Sequence, residues 1–197
     1  MSQVTKRALE TSLKNLLLQK PLDKITINDI TADCGINRMT FYYHFKDIYD
    51  LVEWSCLEDA EKALNNKKTY DTWEQGLLQI FYAVQENKPF IMNVYHCVSR
   101  ERVEKYLMPL TDKLLVDVIE EQSEGLFVKQ TDKDFIAQIY SYVLVGLMLD
   151  WVADDMKEDP EKLVERLAIV IQGNLVYVTT DFIKRPDLIK LFTIIPP

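Results

Sequence analysis

The side chains best suited to chemistry are concentrated near the N-terminus, where the stretch TFYYHF occupies residues 40–45 and Arg38 stands just before it. Hydroxyl, imidazole and guanidinium groups donate hydrogen bonds to phosphate oxygens and to the edges of bases. The same groups could serve catalysis only beside a matched acid, base or nucleophile. No such arrangement is evident around them, so the pattern favours binding over a reaction.

The other reactive residues do not form a catalytic or metal-binding pattern. His96 and Cys97 are neighbours in sequence, and neighbouring residues of a helix diverge by about 100°, so they do not face each other. Neither histidine has a glutamate three residues before it, as a di-metal helical site would need. There is also no glycine-rich phosphate loop. We therefore expect no enzyme, no metal site and no cofactor.

Two short helices are predicted to position the binding residues. The first begins after Thr26, a good N-cap, with Asp29 three residues on as a capping-box partner, and Gly35 ends it where a left-handed residue is needed. The second begins after Asn37, with Ile36 placed to contact Phe41. Two helices joined by such a turn match a helix-turn-helix, whose second helix enters the major groove of DNA. An ordinary corner of a helical bundle has the same spacing and is the alternative.

Helical periodicity divides the aromatic residues of the second helix between two faces. Phe41 and Phe45 share one side and are predicted to anchor the helix in the core, whereas Met39, Thr40 and Tyr43 lie roughly opposite. Tyr42 and His44 flank the two faces, and Arg38 points outward. The polar groups are therefore expected to face a partner.

Composition favours an all-α fold, and the charge is distributed unevenly along the chain. The 197 residues include only five glycines and seven prolines, and the net charge is -8. Residues 1–50 carry a balance of +1 and the remainder -9, so only the N-terminal quarter could face a polyanion. Three irregularly spaced cysteines and no recognisable signal peptide favour the cytoplasm.

Downstream, the pattern is helical with breaks near residues 65–68, 87–89, 99–102, 123–132 and 155–160. Asp159 followed by Pro160 predicts a helix start. The uncharged run from Phe135 to Leu149 is shorter than the roughly 20 residues that span a bilayer and contains several polar side chains. We expect a helix buried between partners and no membrane segment.

The order ITINDITADCGINRMTFYYHFKDIYDL resembles the TetR family of transcriptional regulators, and the resemblance covers residues 5–55. The later stretch GLMLDWVADDMKEDPEKLVERL is similar to a TetR branch that includes regulators of dihydroxyacetone kinase operons. The resemblance implies a three-helix DNA-binding domain at residues 1–46 and a larger helical effector-binding and dimerisation domain at residues 47–197, with about nine helices in all.

The same resemblance assigns contacts with double-stranded DNA to specific positions. The residues carried over, or predicted from their outward direction, are Thr26, Asn37, Arg38, Met39, Thr40, Tyr42, Tyr43, His44 and Lys46. One departure stands out, because the family commonly has a lysine where this chain has Ile48. Lys46 is the residue that could compensate.

The resemblance also implies a homodimer, formed through apolar runs at residues 135–152 and 163–178, that acts as a repressor or activator under a small-molecule effector. Seven aromatic residues could line the effector pocket, although each taken singly is more often part of the core: Trp54, Trp73, Phe81, Tyr82, Phe90, Tyr95 and Tyr106. The weak N-terminal charge and Ile48 leave a second hypothesis open. In it, the fold is a protein-interaction module that binds a second regulatory protein and contacts DNA weakly or indirectly.

Overall fold

The computed structural model describes residues 2–64, 69, 72–123 and 128–171. The helices are α1 (Ser2–Leu17), the short 3-10 helix η1 (Leu22–Lys24), α2 (Ile27–Asp33), α3 (Arg38–His44), α4 (Ile48–Leu64), α5 (Trp73–Glu86), α6 (Lys88–Cys97), α7 (Arg100–Gln122), α8 (Gln130–Ala153) and α9 (160–171). These ranges contain no β-strand. The predicted all-α fold, with about nine helices, is confirmed.

The first of two hydrophobic cores lies beneath the N-terminal helices. Leu9 and Leu13 of α1 are completely buried, and α2, α3 and α4 pack around them. The same core takes in Phe90 and Val94, which belong to α6. The apolar packing of the first three helices therefore continues beyond residue 46, into α4 and α6.

The second core lies among α5, α7, α8 and α9. Phe81 of α5 is fully buried, and its ring meets that of Trp151 edge to face with the centroids 5.0 Å apart. Helices α7 and α8 pack along their length, and Arg100 at the start of α7 forms an ion pair of 2.6 Å with Asp150 at the end of α8. The two helices are therefore antiparallel, and their hairpin is the scaffold of the C-terminal region.

The spacing of Leu9, Leu13, Leu16 and Leu17 predicts a first helix over residues 5–20 that Pro21 ends, and helix α1 stops one turn earlier. The pattern continues to Lys20, but the helix stops at Leu17, and the next three residues form a tighter turn. Pro21 stands four residues after Leu17 and has no N–H to donate to the Leu17 carbonyl. The helical ladder therefore cannot continue past this point.

The predicted breaks near residues 87–89, 99–102, 123–132 and 155–160 coincide with helix ends. Asp159 caps α9 through its side chain, which accepts from the Glu161 N–H at 2.9 Å. Asp155 and Met156 end α8 with positive φ angles of 59° and 55°. The predicted break at 65–68 and residues 172–178 of the predicted dimer-forming run lie outside the described residues.

Candidate nucleic-acid interface

The start of α2 is fixed by a complete capping box. The Asp29 N–H donates to Thr26 Oγ1 at 3.2 Å, and the Thr26 N–H donates to Asp29 Oδ2 at 2.8 Å. The Thr26 hydroxyl also donates to Asp29 Oδ2 at 2.8 Å. An ion pair with Lys20 and these hydrogen bonds from Thr26 lower the pKa of Asp29 from its ordinary 3.8 to about 2. The Thr26 hydroxyl proton is therefore already in use.

The turn between α2 and α3 has the geometry that its sequence predicts. Gly35 adopts a φ of 65°, in the left-handed region that favours glycine. No neighbouring atom would touch a Cβ at Gly35, so the backbone conformation alone requires glycine here. Asn37 then caps α3 through its side-chain oxygen, which accepts from the Met39 N–H at 2.8 Å. The first turns of both helices of the helix-turn-helix are thus capped by side chains of the motif itself.

Helix α3 has only seven residues and is held in place by its two phenylalanines. Phe41 is fully buried and Phe45 nearly so, with their ring centroids 5.9 Å apart. The Phe45 ring also packs against Trp54 of α4, and the Lys6 ammonium lies over both rings at 5.4 and 5.3 Å. The predicted inward role of Phe41 and Phe45 is confirmed.

The opposite face of α3 is open to solvent. Met39 and Tyr43 are 73% and 83% exposed, so neither is part of the core. Arg38 and Tyr42 are also exposed and are joined, since Arg38 Nη2 donates to the Tyr42 hydroxyl at 3.2 Å. All nine residues predicted to contact DNA lie at the surface, with Thr40 and His44 half-buried and the rest exposed.

The start of α4 explains the absence of a lysine at position 48. Ile48 is half-buried and packs against the N-terminal core, so its side chain serves the interior. The Lys46 N–H donates to Asp50 Oδ2 at 2.8 Å, and the Asp50 N–H donates to Asp47 Oδ1 at 2.9 Å. At the turn between α3 and α4, Lys46 is therefore the exposed cation, and the carboxylates of Asp47 and Asp50 lie close to it.

Two residues of α7, Arg102 and Tyr106, contact α4, and the sequence did not predict either contact. The Tyr106 hydroxyl donates to the Glu53 carbonyl at 2.8 Å. Arg102 lies over the Tyr49 ring, with its guanidinium carbon 4.4 Å from the centroid, and its Nε is 3.6 Å from the Glu53 carboxylate. Burial raises the pKa of Tyr106 well above its ordinary range. The first turns of α7 thus hold the helix that directly follows α3.

The structure does not gather the seven candidate pocket aromatics around one cavity. Trp54 and Phe90 belong to the N-terminal core, Phe81, Trp73 and Tyr95 to the C-terminal core, and Tyr106 bridges α7 and α4. The Tyr82 hydroxyl donates to Glu161 at 2.6 Å, and this hydrogen bond raises its pKa to about 12. Each of these side chains has a structural contact of its own.

Two shallow grooves mark the N-terminal side of the molecule. One, of about 490 Å³, lies between α1 and the end of α2, and the other, of about 440 Å³, lies between the end of α1 and α6. None of the seven aromatics lines either groove. In the parts of the chain that the structure describes, no group of three or more His, Cys, Asp or Glu side chains is placed to hold a metal ion.

Comparison with known proteins agrees with this geometry. Residues 12–53 match the family described as bacterial regulatory proteins, tetR family, and residues 71–173 match a transcriptional regulator C-terminal region of the TetR group. The second match alone covers more than half of the chain. The chain belongs to the TetR family of transcriptional regulators. It is accordingly a regulator and not an enzyme.

Two curated TetR-type regulators are similar in sequence to this protein. The dhaKLM operon transcriptional activator DhaS of Lactococcus lactis is 24% identical over 139 residues, which cover 70% of this chain and 73% of DhaS. The uncharacterized regulator YerO of Bacillus subtilis is 23% identical over 192 residues, covering 88% of this chain and 66% of YerO. The predicted relation to the dihydroxyacetone kinase branch is thereby confirmed.

Solved structures show the same fold in other TetR proteins. The structure of DhaS superposes with a TM-score of 0.67 at 20% identity, covering 87% of this chain and 96% of DhaS. The fatty acid degradation regulator FadR of Bacillus halodurans superposes with a TM-score of 0.57 at 16% identity, covering 85% and 97%. The arrangement of a helix-turn-helix followed by a larger helical region is therefore shared.

Proposed function

We propose that this TetR regulator binds operator DNA as a cytoplasmic homodimer and that its DNA affinity is set by an effector or a partner protein. The outer face of α3 supports this most directly. It exposes two large apolar side chains, Met39 and Tyr43, on a helix whose capped turn and buried phenylalanines fix its direction. Such a face needs a partner, and a recognition helix places it in the major groove.

The nine surface residues divide by the chemistry that each can offer to DNA. Asn37, Arg38 and Met39 stand at the N-terminal end of α3 and would meet base edges. Tyr42, Tyr43 and Lys46 would donate to phosphates, as would Thr40 and His44 from their half-buried positions. Since the Thr26 hydroxyl donates its one proton to Asp29, Thr26 would have to exchange that hydrogen bond in order to donate to a phosphate oxygen.

A homodimer is supported by one apolar stripe along α8. Phe135, Ile139, Tyr142, Val143 and Leu147 follow helical spacing on the side opposite the core, and all are exposed. Helix α8 is long and apolar enough to cross a membrane by composition, but its other side packs into the C-terminal core. We assign the exposed stripe, called here the α8 stripe, to a second copy of the chain, because a closed dimer buries such a face on both subunits.

Regulation would act through two states that differ in the spacing of the two α3 helices. A ligand that binds one state better shifts the population toward it. Neither of the two grooves described above is lined by any of the seven aromatics, so neither matches the predicted effector pocket. We therefore keep two candidates for the molecule that regulates DNA affinity, a small-molecule effector and a partner protein. The relative DhaS is named an activator, and a reporter gene with and without this protein would establish the sign here.

Binding to DNA from just upstream of the protein's own coding region tests the proposal. The purified protein should prefer this duplex, or one selected from a random library, over a scrambled duplex, and log affinity should fall by roughly 0.9 per phosphate contact per log unit of salt. Replacing Tyr42 and His44 by alanine should weaken operator binding at least about tenfold without unfolding. Leu18→Ala, at an exposed site near the end of α1, is the control and should change nothing. Equal affinity for all duplexes, selected ones included, would contradict the proposal.

One observation favours the alternative of a protein-interaction module. Three of the N-terminal lysines are already neutralised by carboxylates: Lys14 by Glu10 and Asp59, Lys20 by Asp29, and Lys24 by Asp23. Few cations remain for phosphate. Two results would support this alternative. The logarithm of DNA affinity would change little with salt concentration, and the protein would capture a second regulatory protein even when the α8 stripe is mutated.

A further inference from the structure

In the corner between α1 and η1, residues 17–25, some backbone hydrogen-bonding groups have no partner within the corner itself. The helical donor for the Leu17 carbonyl would be the N–H of Pro21, which does not exist. The Lys24 N–H, which stands four residues after Lys20, donates to the Pro21 carbonyl instead. Unpaired backbone groups in a half-buried turn are costly, so a partner from elsewhere in the fold is expected.

Asn93 of α6 supplies that partner. Its side-chain Nδ2 donates to the Leu17 carbonyl at 3.1 Å and, at 3.5 Å, to that of Lys20, while its Oδ1 accepts from the Leu22 N–H at 2.9 Å. One carboxamide thereby serves three backbone groups of the corner with both its donor and its acceptor. The contact joins residues that are 71 to 76 positions apart in the sequence.

The corner leads directly to the helix-turn-helix. The Lys20 ammonium forms an ion pair of 2.9 Å with Asp29, the residue that closes the capping box on Thr26. Asn93 therefore holds the backbone of the same residue whose side chain holds the start of α2. A continuous series of polar contacts runs from α6 through Lys20 and Asp29 to the first turn of α2.

Both apolar packing and the hydrogen bonds of Asn93 hold α6 against this corner. Phe90 and Val94 of α6 enter the N-terminal core, yet a groove of about 440 Å³ remains beside Asn93, bordered by Pro21, Pro89 and His96. The hydrogen bonds of Asn93 are directional, so they add a defined geometry to this packing on the side where the groove lies. The orientation of the corner is thus tied to the position of α6.

We propose that Asn93 is a positioning residue for DNA recognition, through which α6 sets the orientation of the helix-turn-helix. The inference rests on the proposed function, since it concerns the reading of operator DNA. Base reading needs a fixed helix direction, whereas contacts to phosphates tolerate a range of orientations. Loss of the Asn93 contacts should therefore reduce specific binding more than non-specific binding.

The test compares Asn93→Ala with the wild-type protein and with Asn15→Ala, a matched control at an exposed position on α1. We expect Asn93→Ala to lose about tenfold in operator affinity while its affinity for a scrambled duplex is unchanged. In the full-length protein, amide hydrogen exchange should quicken at Leu22 and at Asp29 in the first turn of α2. Equal losses on both duplexes, or unchanged exchange at Asp29 in a folded variant, would overturn the proposal.

A second variant covers the case in which Asn93→Ala does not fold. Asn93→Asp keeps the acceptor for the Leu22 N–H but removes the donor to the Leu17 carbonyl. Leu22 should stay protected while exchange at Asp29 quickens and operator preference falls; wild-type behaviour in both measurements would contradict the assignment. If the wild-type protein shows no operator preference, the proposed function fails, and the exchange measurements still decide whether α6 orders α2 through Asn93.

Discussion

The Tyr106 hydroxyl lies 2.8 Å from the Glu53 carbonyl, so a side chain of α7 is hydrogen bonded to the backbone of α4, the helix that follows α3. Arg102, one turn earlier in α7, covers Tyr49 and approaches the Glu53 carboxylate. Helix α7 also packs along α8, which carries the exposed stripe. A displacement of the first turns of α7 would therefore reach α4 through these contacts.

Tyr106→Phe should remove this hydrogen bond with little change in packing. The free energy of unfolding should fall by about 0.5–1.5 kcal/mol, the usual contribution of one hydrogen bond. The matched control is Tyr95→Phe, because the Tyr95 hydroxyl has no hydrogen-bond partner among the described residues. Urea denaturation of the three proteins measures the difference. Identical midpoints for both variants would show that the Tyr106 contact does not stabilise the fold.

Asp29 should contribute a pH-dependent part of the stability. Its pKa is lowered from 3.8 to about 2 in the folded protein, so the ionised form stabilises the fold above about pH 4. That contribution is lost as the pH falls from about 4 to about 2. Asp29→Asn should be less stable than wild type at pH 7, and the gap should narrow below pH 4. Thermal denaturation from pH 7 to pH 2 tests this, and a constant gap would contradict it.

Ile139→Glu, in the middle of the α8 stripe, should prevent dimer formation. A buried and unpaired carboxylate opposes association, so the dimer dissociation constant should rise at least about tenfold. The isolated chain should still fold because Ile139 is exposed there. Light scattering after size-exclusion chromatography measures the mass, with Val4→Glu, at an exposed position of α1, as the control. A variant that remains dimeric would exclude the α8 stripe as the interface.

Met39 should read a thymine through its methyl group. The exposed Met39 side chain is apolar, so it suits the methyl group of thymine better than a polar base edge. Its neighbours already make hydrogen bonds within the protein, Arg38 with Tyr42 and the Asn37 side-chain oxygen with the Met39 N–H. Replacing the contacted thymine by uracil removes one methyl group and should weaken binding about threefold to fivefold.

Met39→Ala should lose this difference between thymine and uracil, and Met39→Leu should keep it. Binding titrations with operators substituted at one thymine at a time provide the measurement. A uracil penalty of the same size in Met39→Ala would assign the methyl contact to another residue.

The local structure of the candidate interface could be predicted because its determinants lie close together in sequence. Thr26 and Asp29 are three residues apart, Gly35 acts through its own backbone, and the spacing of Phe41 and Phe45 alone defines the inner face of α3. In each case the interaction depends on one or two turns of chain. The sequence therefore contains both partners within a single short window.

The contacts between the two regions could not be predicted in this way. Asn93 meets its partners 71 to 76 residues away, and Tyr106 meets Glu53 across 53 residues. A half-buried asparagine or tyrosine has no periodic signal that identifies a distant backbone group. For the same reason, aromatic content did not reveal that Trp54 and Phe90 pack in a different core from Phe81.

The dependence of the α1 corner on Asn93 also limits how this protein can be cut and recombined. A fragment that ends before α6 would leave the Leu17 carbonyl and the Leu22 N–H without the partner that they have in the intact chain. A chimaera that moves residues 1–46 into another TetR regulator would need a carboxamide at the position equivalent to Asn93. The unit that can be exchanged between regulators is therefore larger than the helix-turn-helix itself.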